Sequence, residues 1–180
     1  MADVSGKKVA VLVHNYFEQP EFTGPIDALK AAGATVEVIG AGAEDGKVQG
    51  LNHVEMGDTF DCDKSLDEAD YDEYDAVVLP GGAVNADHLR MENKAREWVR
   101  KACEDGKPLA VICHAPWVLA SAGIAKDKQL TSYYTIQDDM RNAGADWVDQ
   151  ECVIDGNLIT SRNPDDIPTF NNALIAALES

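Results

Sequence analysis

The apolar positions of this chain alternate between short unbroken runs and runs with helical spacing. Residues 7–13 contain Val9-Ala10-Val11-Leu12-Val13 without interruption, the pattern of a strand buried on both faces of a parallel sheet. Phe22, Ile26 and Leu29 then recur at helical spacing. Gly33 closes that helix, and Pro25 predicts a late start or an early bend. Residues 34–39 read as a second strand, so the chain opens on a βαβ unit. From 41 to 75 the pattern loosens. Gly46, Gly50 and Gly57 mark turns around 48–54, predicting a small hairpin followed by an acidic loop.

Residues 75–79 form the next buried strand, stopped by Pro80-Gly81-Gly82. A helix over 92–104 places Ala95, Trp98, Val99 and Ala102 on one face. Residues 108–112 are a further strand that runs directly into Cys113, and a short helix covers 115–122. Residues 135–142 read as helical, with Gly144 as the stop. Two strands, 147–153 and 158–160, flank Asp155-Gly156, a hairpin signal. Residues 168–178 make a terminal helix with Phe170, Leu174, Ile175 and Leu178 inward. This alternation predicts one α/β domain over 1–180, a mostly parallel sheet with helices on both faces and right-handed crossovers.

Charge narrows the partners. Thirty-two acids against fifteen bases give a formal charge of −17. Ten of the acids lie between Glu55 and Asp75, with Lys64 the only base among them. Such a surface repels phosphate backbones and anionic membranes, so neither nucleic acid nor membrane is an expected partner. The start Met1-Ala2-Asp3-Val4 does not resemble an export signal, and no apolar run approaches the ~20 residues of a membrane helix. The expected setting is the cytoplasm. Cys62, Cys103, Cys113 and Cys152 form no CxxC pair and read as free thiols. His14 and His53 lack partners at metal spacing, and no metal is expected.

In open α/β sheets, ligands bind beyond the carboxyl ends of the strands. Three such ends carry unusual residues: 14–21, Pro80-Gly81-Gly82 and Cys113-His114. They converge on one pocket if their strands are neighbours. Cys113, between a buried strand and a short helix, sits where a tight turn forces strained backbone angles and lifts the side chain out of the sheet. The helix N-terminus favours thiolate there. Position alone leaves an ordinary core cysteine as an equal alternative. Glu18 and Glu21, three apart at a helix start, can share one face. A carboxyl partner of the sulfur is expected to be neutral, since a negative one opposes a thiolate. The Gly81 and Gly82 N–H groups, with that of His114, could stabilise an oxyanion. The His114 ring, next in sequence to Cys113, is not expected to turn back onto the sulfur. Cys103 and Cys152 read as structural, the latter within a strand, and Cys62 as exposed between two acids that suppress its ionisation.

Taken together, these segments resemble the ThiJ/PfpI superfamily, in particular its PfpI-like general stress proteins. The resemblance rests on Phe17-Glu18-Gln19-Pro20-Glu21, Asp75 to Gly82, Ala110-Val111-Ile112-Cys113-His114-Ala115-Pro116-Trp117, Thr131-Ser132-Tyr133, Asn142-Ala143-Gly144-Ala145 and Asp155 to Arg162. It implies a flavodoxin-like three-layer sandwich related to class I glutamine amidotransferase domains. It also implies a nucleophilic Cys113, an acid partner at Glu21, a second pocket acid at Glu18, and homodimers or larger assemblies. In PfpI-type members a neighbouring subunit supplies an acid from the stretch after Gly82. Here Asp87 stands near that place, shorter than the usual Glu and offset by a residue, and Ala115 replaces the usual glycine after Cys-His. The implied activity is cofactor-independent action on small carbonyl compounds or glycated adducts, of glyoxalase or deglycase type, through Cys113, Glu21 and His114. A PfpI-type cysteine peptidase and a non-enzymatic redox sensor or chaperone are the alternatives.

Overall fold

The computed structural model describes residues 2–180. Its strands are β1 (Lys8–Val13), β2 (Phe17–Glu18), β3 (Thr35–Gly40), β4 (Lys47–Asn52), β5 (Glu55–Asp61), β6 (Lys64–Ser65), β7 (Ala76–Leu79), β8 (Leu109–Ile112), β9 (Gln129–Leu130), β10 (Asp146–Trp147), β11 (Val153–Asp155) and β12 (Leu158–Ser161). Its helices are α1 (Gln19–Ala31), α2 (Ala83–Leu89), α3 (Asn93–Asp105), α4 (Pro116–Ala122), α5 (Gln137–Asn142) and α6 (Ile167–Glu179). The central sheet has the order β11-β12-β8-β7-β1-β3-β6. Every pairing in it is parallel except that of β11 with β12. Without the two edge strands, chain order reads 2-1-3-4-5 across the sheet, the flavodoxin-like order.

Side-chain alternation along β1 explains the three layers. Ala10 and Leu12 join one buried cluster, which includes Trp98 and Val99 of α3 and Val118 and Leu119 of α4. Val9, Val11 and Val13 face the opposite way. They pack in a cluster with Phe22, Ile26 and Leu29 of α1 and Phe170, Leu174 and Leu178 of α6. All five residues 9–13 are fully buried, as an unbroken apolar run in a sheet covered on both faces must be. The inward face expected of α3 is present in full, whereas Ile175 of α6 is only partly buried.

Several expectations need correction. The first helix starts at Gln19 and contains Pro25, instead of starting late. Pro25 lacks only the N–H that would bond the Glu21 carbonyl, and its ring is buried. The expected hairpin is present as β4 and β5, but it runs on through Asp61 and β6 then joins the sheet edge, so the acidic stretch is no simple loop. Gly57 lies inside β5, not at a turn, because a Cβ there would fall 2.2 Å from Gln19 Oε1. The turn itself is made at His53, with φ of 58°. Helix α2 was not expected, since Ala-Val-Asn-Ala-Asp-His-Leu is too short to display a helical period. The strand expected over 147–153 is divided. Asp146–Trp147 pairs with β9, and only Val153–Asp155 enters the hairpin. None of the described helices is long and apolar enough to cross a membrane.

Candidate active site

Strands β1, β7 and β8 are neighbours, so the segments leaving their carboxyl ends do meet. They enclose a pocket of about 530 Å³ at the place where strand order reverses. Tyr16, Glu18, Gly82, Cys113, His114 and Tyr133 line it, and the tip of the β4–β5 hairpin at His53 and Val54 closes one side.

Cys113 has the strained geometry that its place in the sequence predicts. Its φ is 66°, in the left-handed region, a conformation that costs a non-glycine residue about 1–3 kcal/mol. Neighbouring backbone holds it there. Its N–H donates to the Ser161 carbonyl at 3.0 Å, and its carbonyl accepts from the Tyr133 N–H at 2.7 Å. The residue is buried, 5% exposed, and lines the pocket.

Glu21, in the first turn of α1, is wholly buried and faces the thiol. Neither of its oxygens makes a hydrogen bond of regular geometry. Burial first, and then the charge of Glu18, push its carboxyl well above the usual carboxylate range, against smaller opposing contributions from the Cys113 thiol and the Gly81 N–H. The direction of the shift favours the neutral acid expected from the sequence. At Cys113 the shift runs against the thiolate expected from the helix N-terminus. Burial, and then Glu21, raise the thiol, and the N–H groups of Gly82 and His114 offset this only in part.

The His114 ring corrects another expectation. Its Nδ1 lies 3.2 Å from Cys113 Sγ. In an extended strand adjacent side chains diverge, but the left-handed turn at Cys113 brings them together. The ring stacks on Tyr133 with centroids 4.7 Å apart, and Nε2 lies 3.5 Å from Thr135 Oγ1. Burial lowers its pKa, so the imidazole is neutral.

Glu18 ends β2 and caps α1 through its backbone, so the two acids reach the site at different depths. Glu18 forms the pocket wall, where both its oxygens accept from the His53 N–H at 3.2 and 3.3 Å. Glu21 lies behind it. Asp87 is exposed on α2 and does not line the pocket. Cys62 is half-buried, not exposed. Burial, then Asp63 and Asp61, raise its thiol to about 11. Cys103 and Cys152 are also partly buried, and Cys152 precedes β11 instead of lying within a strand.

Sequence reasoning missed Asn85 and Tyr133. Asn85 is fully buried, and both ends of its amide are bonded. Its Oδ1 accepts from the His14 N–H at 2.7 Å, and its Nδ2 donates to the carbonyls of Pro80 and Gly81 at 3.0 and 2.9 Å. The available signal was its spacing, with Leu89 four residues on along the buried face of α2.

Residues 7–177 match the model of the DJ-1/PfpI family. The chain belongs to the DJ-1/PfpI family. Among its relatives, Deglycase TK1284 of Thermococcus kodakarensis is 44% identical over 171 residues, covering 95% of this chain and 99% of that protein. General stress protein 18 of Bacillus subtilis is 40% identical, covering 97% and 99%. The crystal structure of Drosophila melanogaster DJ-1beta matches with a TM-score of 0.87 at 33% identity, over 96% of this chain and 90% of that one. The ThiJ/PfpI resemblance seen in the sequence thus holds for nearly the whole DJ-1/PfpI domain.

Proposed function

We propose that this DJ-1/PfpI protein is a stress protein that converts reactive carbonyls without a cofactor, with Cys113 as nucleophile and Glu21 as proton shuttle. The observation that carries the proposal is a buried thiol that lines a pocket and faces a wholly buried carboxyl group. The deglycase name of a relative sharing 44% identity supports the same reading. A neutral carboxyl group has one oxygen that accepts a proton and another that donates one. It can relieve the thiol of its proton as the sulfur attacks an aldehyde carbon, and protonate the oxygen that results. The product of that step is a hemithioacetal. The N–H groups of Gly82 and His114, already aimed at the sulfur, lie close to where the oxygen's charge develops.

With methylglyoxal, the hydrogen on the former aldehyde carbon then moves to the adjacent ketone carbon. The neutral His114 imidazole, 3.2 Å from the sulfur, is a base within reach of it. The resulting thioester takes up one water, releasing lactate and restoring the thiol. Methylglyoxal plus water balances as lactic acid.

A peptidase makes a further demand, an acid to orient the histidine. His114 Nε2 has Thr135 as its neighbour, and Asp87 would have to come from a second copy of the chain. Steady-state lactate formation from methylglyoxal without glutathione tests the proposal. Sustained turnover by the wild type that disappears in Cys113→Ser is expected. No turnover, with Cys113 still readily oxidised by peroxide, would sink the enzymatic reading and leave an oxidation sensor.

A further inference from the structure

Gly82 presents its N–H to the sulfur only if the peptide between Gly81 and Gly82 is held in one orientation. That peptide is planar and trans, so its carbonyl and its N–H point in opposite directions. Whatever grips the Gly81 carbonyl therefore aims the Gly82 N–H. Two donors grip it: Asn85 Nδ2 at 2.9 Å and the Glu18 N–H at 3.2 Å. The same Asn85 nitrogen also holds the Pro80 carbonyl at 3.0 Å. A Pro-Gly-Gly turn has little stiffness of its own, and Gly82 has a φ of 92°. Asn85 Oδ1, meanwhile, accepts from the His14 N–H at 2.7 Å, where β1 gives way to the segment that carries Glu18 and Glu21. One buried amide thus joins two of the three strand ends that form the pocket.

We propose that Asn85 is a positioning residue, fixing the Gly81–Gly82 peptide so that the Gly82 N–H serves the Cys113 sulfur and the oxyanion formed beside it. The chemistry requires an amide. Only Asn or Gln presents a donor for carbonyls and an acceptor for an N–H together, and Gln is a methylene too long for a fully buried position. Aspartate keeps the acceptor for His14 but turns a carboxylate toward two carbonyl oxygens. Serine is neutral and too short to reach both sides.

The inference rests on the proposed function only through the identity of the reactive cysteine. Its test therefore has one arm that needs no carbonyl substrate. Iodoacetamide labelling of Cys113, followed by peptide mass spectrometry from pH 6 to 10, reads the thiol directly. In Asn85→Asp the labelling rate at pH 8 is expected to fall about tenfold, with the titration moved to higher pH, because a donor to the thiolate is lost. In the activity arm, kcat is expected to fall by about 10–100-fold at little-changed KM, since the donor acts on charge that develops in the transition state. Asn85→Ser, expected to move both readouts in the same direction, covers the case in which the aspartate variant does not fold. A purely structural role would reduce the yield or melting temperature but leave the folded fraction titrating like wild type. A folded variant with wild-type labelling and wild-type kcat overturns the proposal. Changed labelling in a protein without any turnover would uphold it while removing the carbonyl reading.

Discussion

Glu21→Gln is expected to lower methylglyoxal turnover by about 10²–10⁴-fold, the usual range for a positioned acid–base group, while stabilising the protein at neutral pH. Glutamine fills the same space and carries no charge, but it cannot pass a proton. The stability effect follows from linkage. Burial raises the Glu21 carboxyl well above its ordinary value, so the folded chain keeps a proton that the unfolded chain releases above about pH 4.3. Wild-type stability contributed by this group is greatest below that pH. It falls as pH rises, by at most about 1.4 kcal/mol per pH unit, until the folded value is passed. The variant has no such slope. Melting temperatures measured from pH 4 to 8 should therefore show a gap in favour of Glu21→Gln that widens with pH. A gap that stays constant would mean that Glu21 is ionised in the folded protein, and the shuttle would lose its basis.

The second large effect is expected at Gly81→Ala. Its backbone conformation is open to alanine, so the difficulty is one of space. A Cβ there would lie 2.5 Å from Cys113 Cβ, 2.6 Å from Glu21 Oε1 and 2.8 Å from the Ile112 carbonyl oxygen. Two of those three atoms belong to the β8 turn, so they cannot swing aside as the end of a flexible chain would. Overpacking of this kind costs about 1–3 kcal/mol. For a domain of this size that is a loss of about 2–4 °C in melting temperature per kcal/mol. The relief available is for Glu21 and Cys113 to move apart, so turnover should fall further than stability alone explains. Circular dichroism melts alongside kcat measured well below the melting temperature separate the two. A variant with wild-type kcat would show that the close approach of Gly81 to Cys113 and Glu21 is not needed.

Much of this architecture could be read from the sequence because it rests on local patterns. The runs 9–13, 76–79 and 109–112 are apolar on both faces, which fits the middle of a covered parallel sheet. A cysteine directly after the last of them, before a short helix, predicts the left-handed turn found at Cys113. What could not be read depends on contacts between distant segments. The joining of β6 to the β3 edge lies among acidic residues whose charges hide the strand period. Gly57 resembles a turn residue until Gln19 is seen packed against it. The ionisation of Cys113 depends on how deeply it is buried beside Glu21, ninety-two positions earlier in the numbering. That depth opposes the helix terminus the sequence displays. Asn85 looks like an ordinary polar residue until the Gly81 carbonyl is placed above it.

The central claim is that a carbonyl carbon becomes bonded to Cys113 and leaves again. Rapid-quench mass spectrometry of the Cys113 peptide during methylglyoxal turnover tests it most directly. The account predicts an adduct with the added mass of one methylglyoxal that forms and decays at least as fast as lactate appears, and that is absent from Cys113→Ser. Lactate accumulating while Cys113 stays unmodified, or an adduct that forms once and never decays, would contradict it.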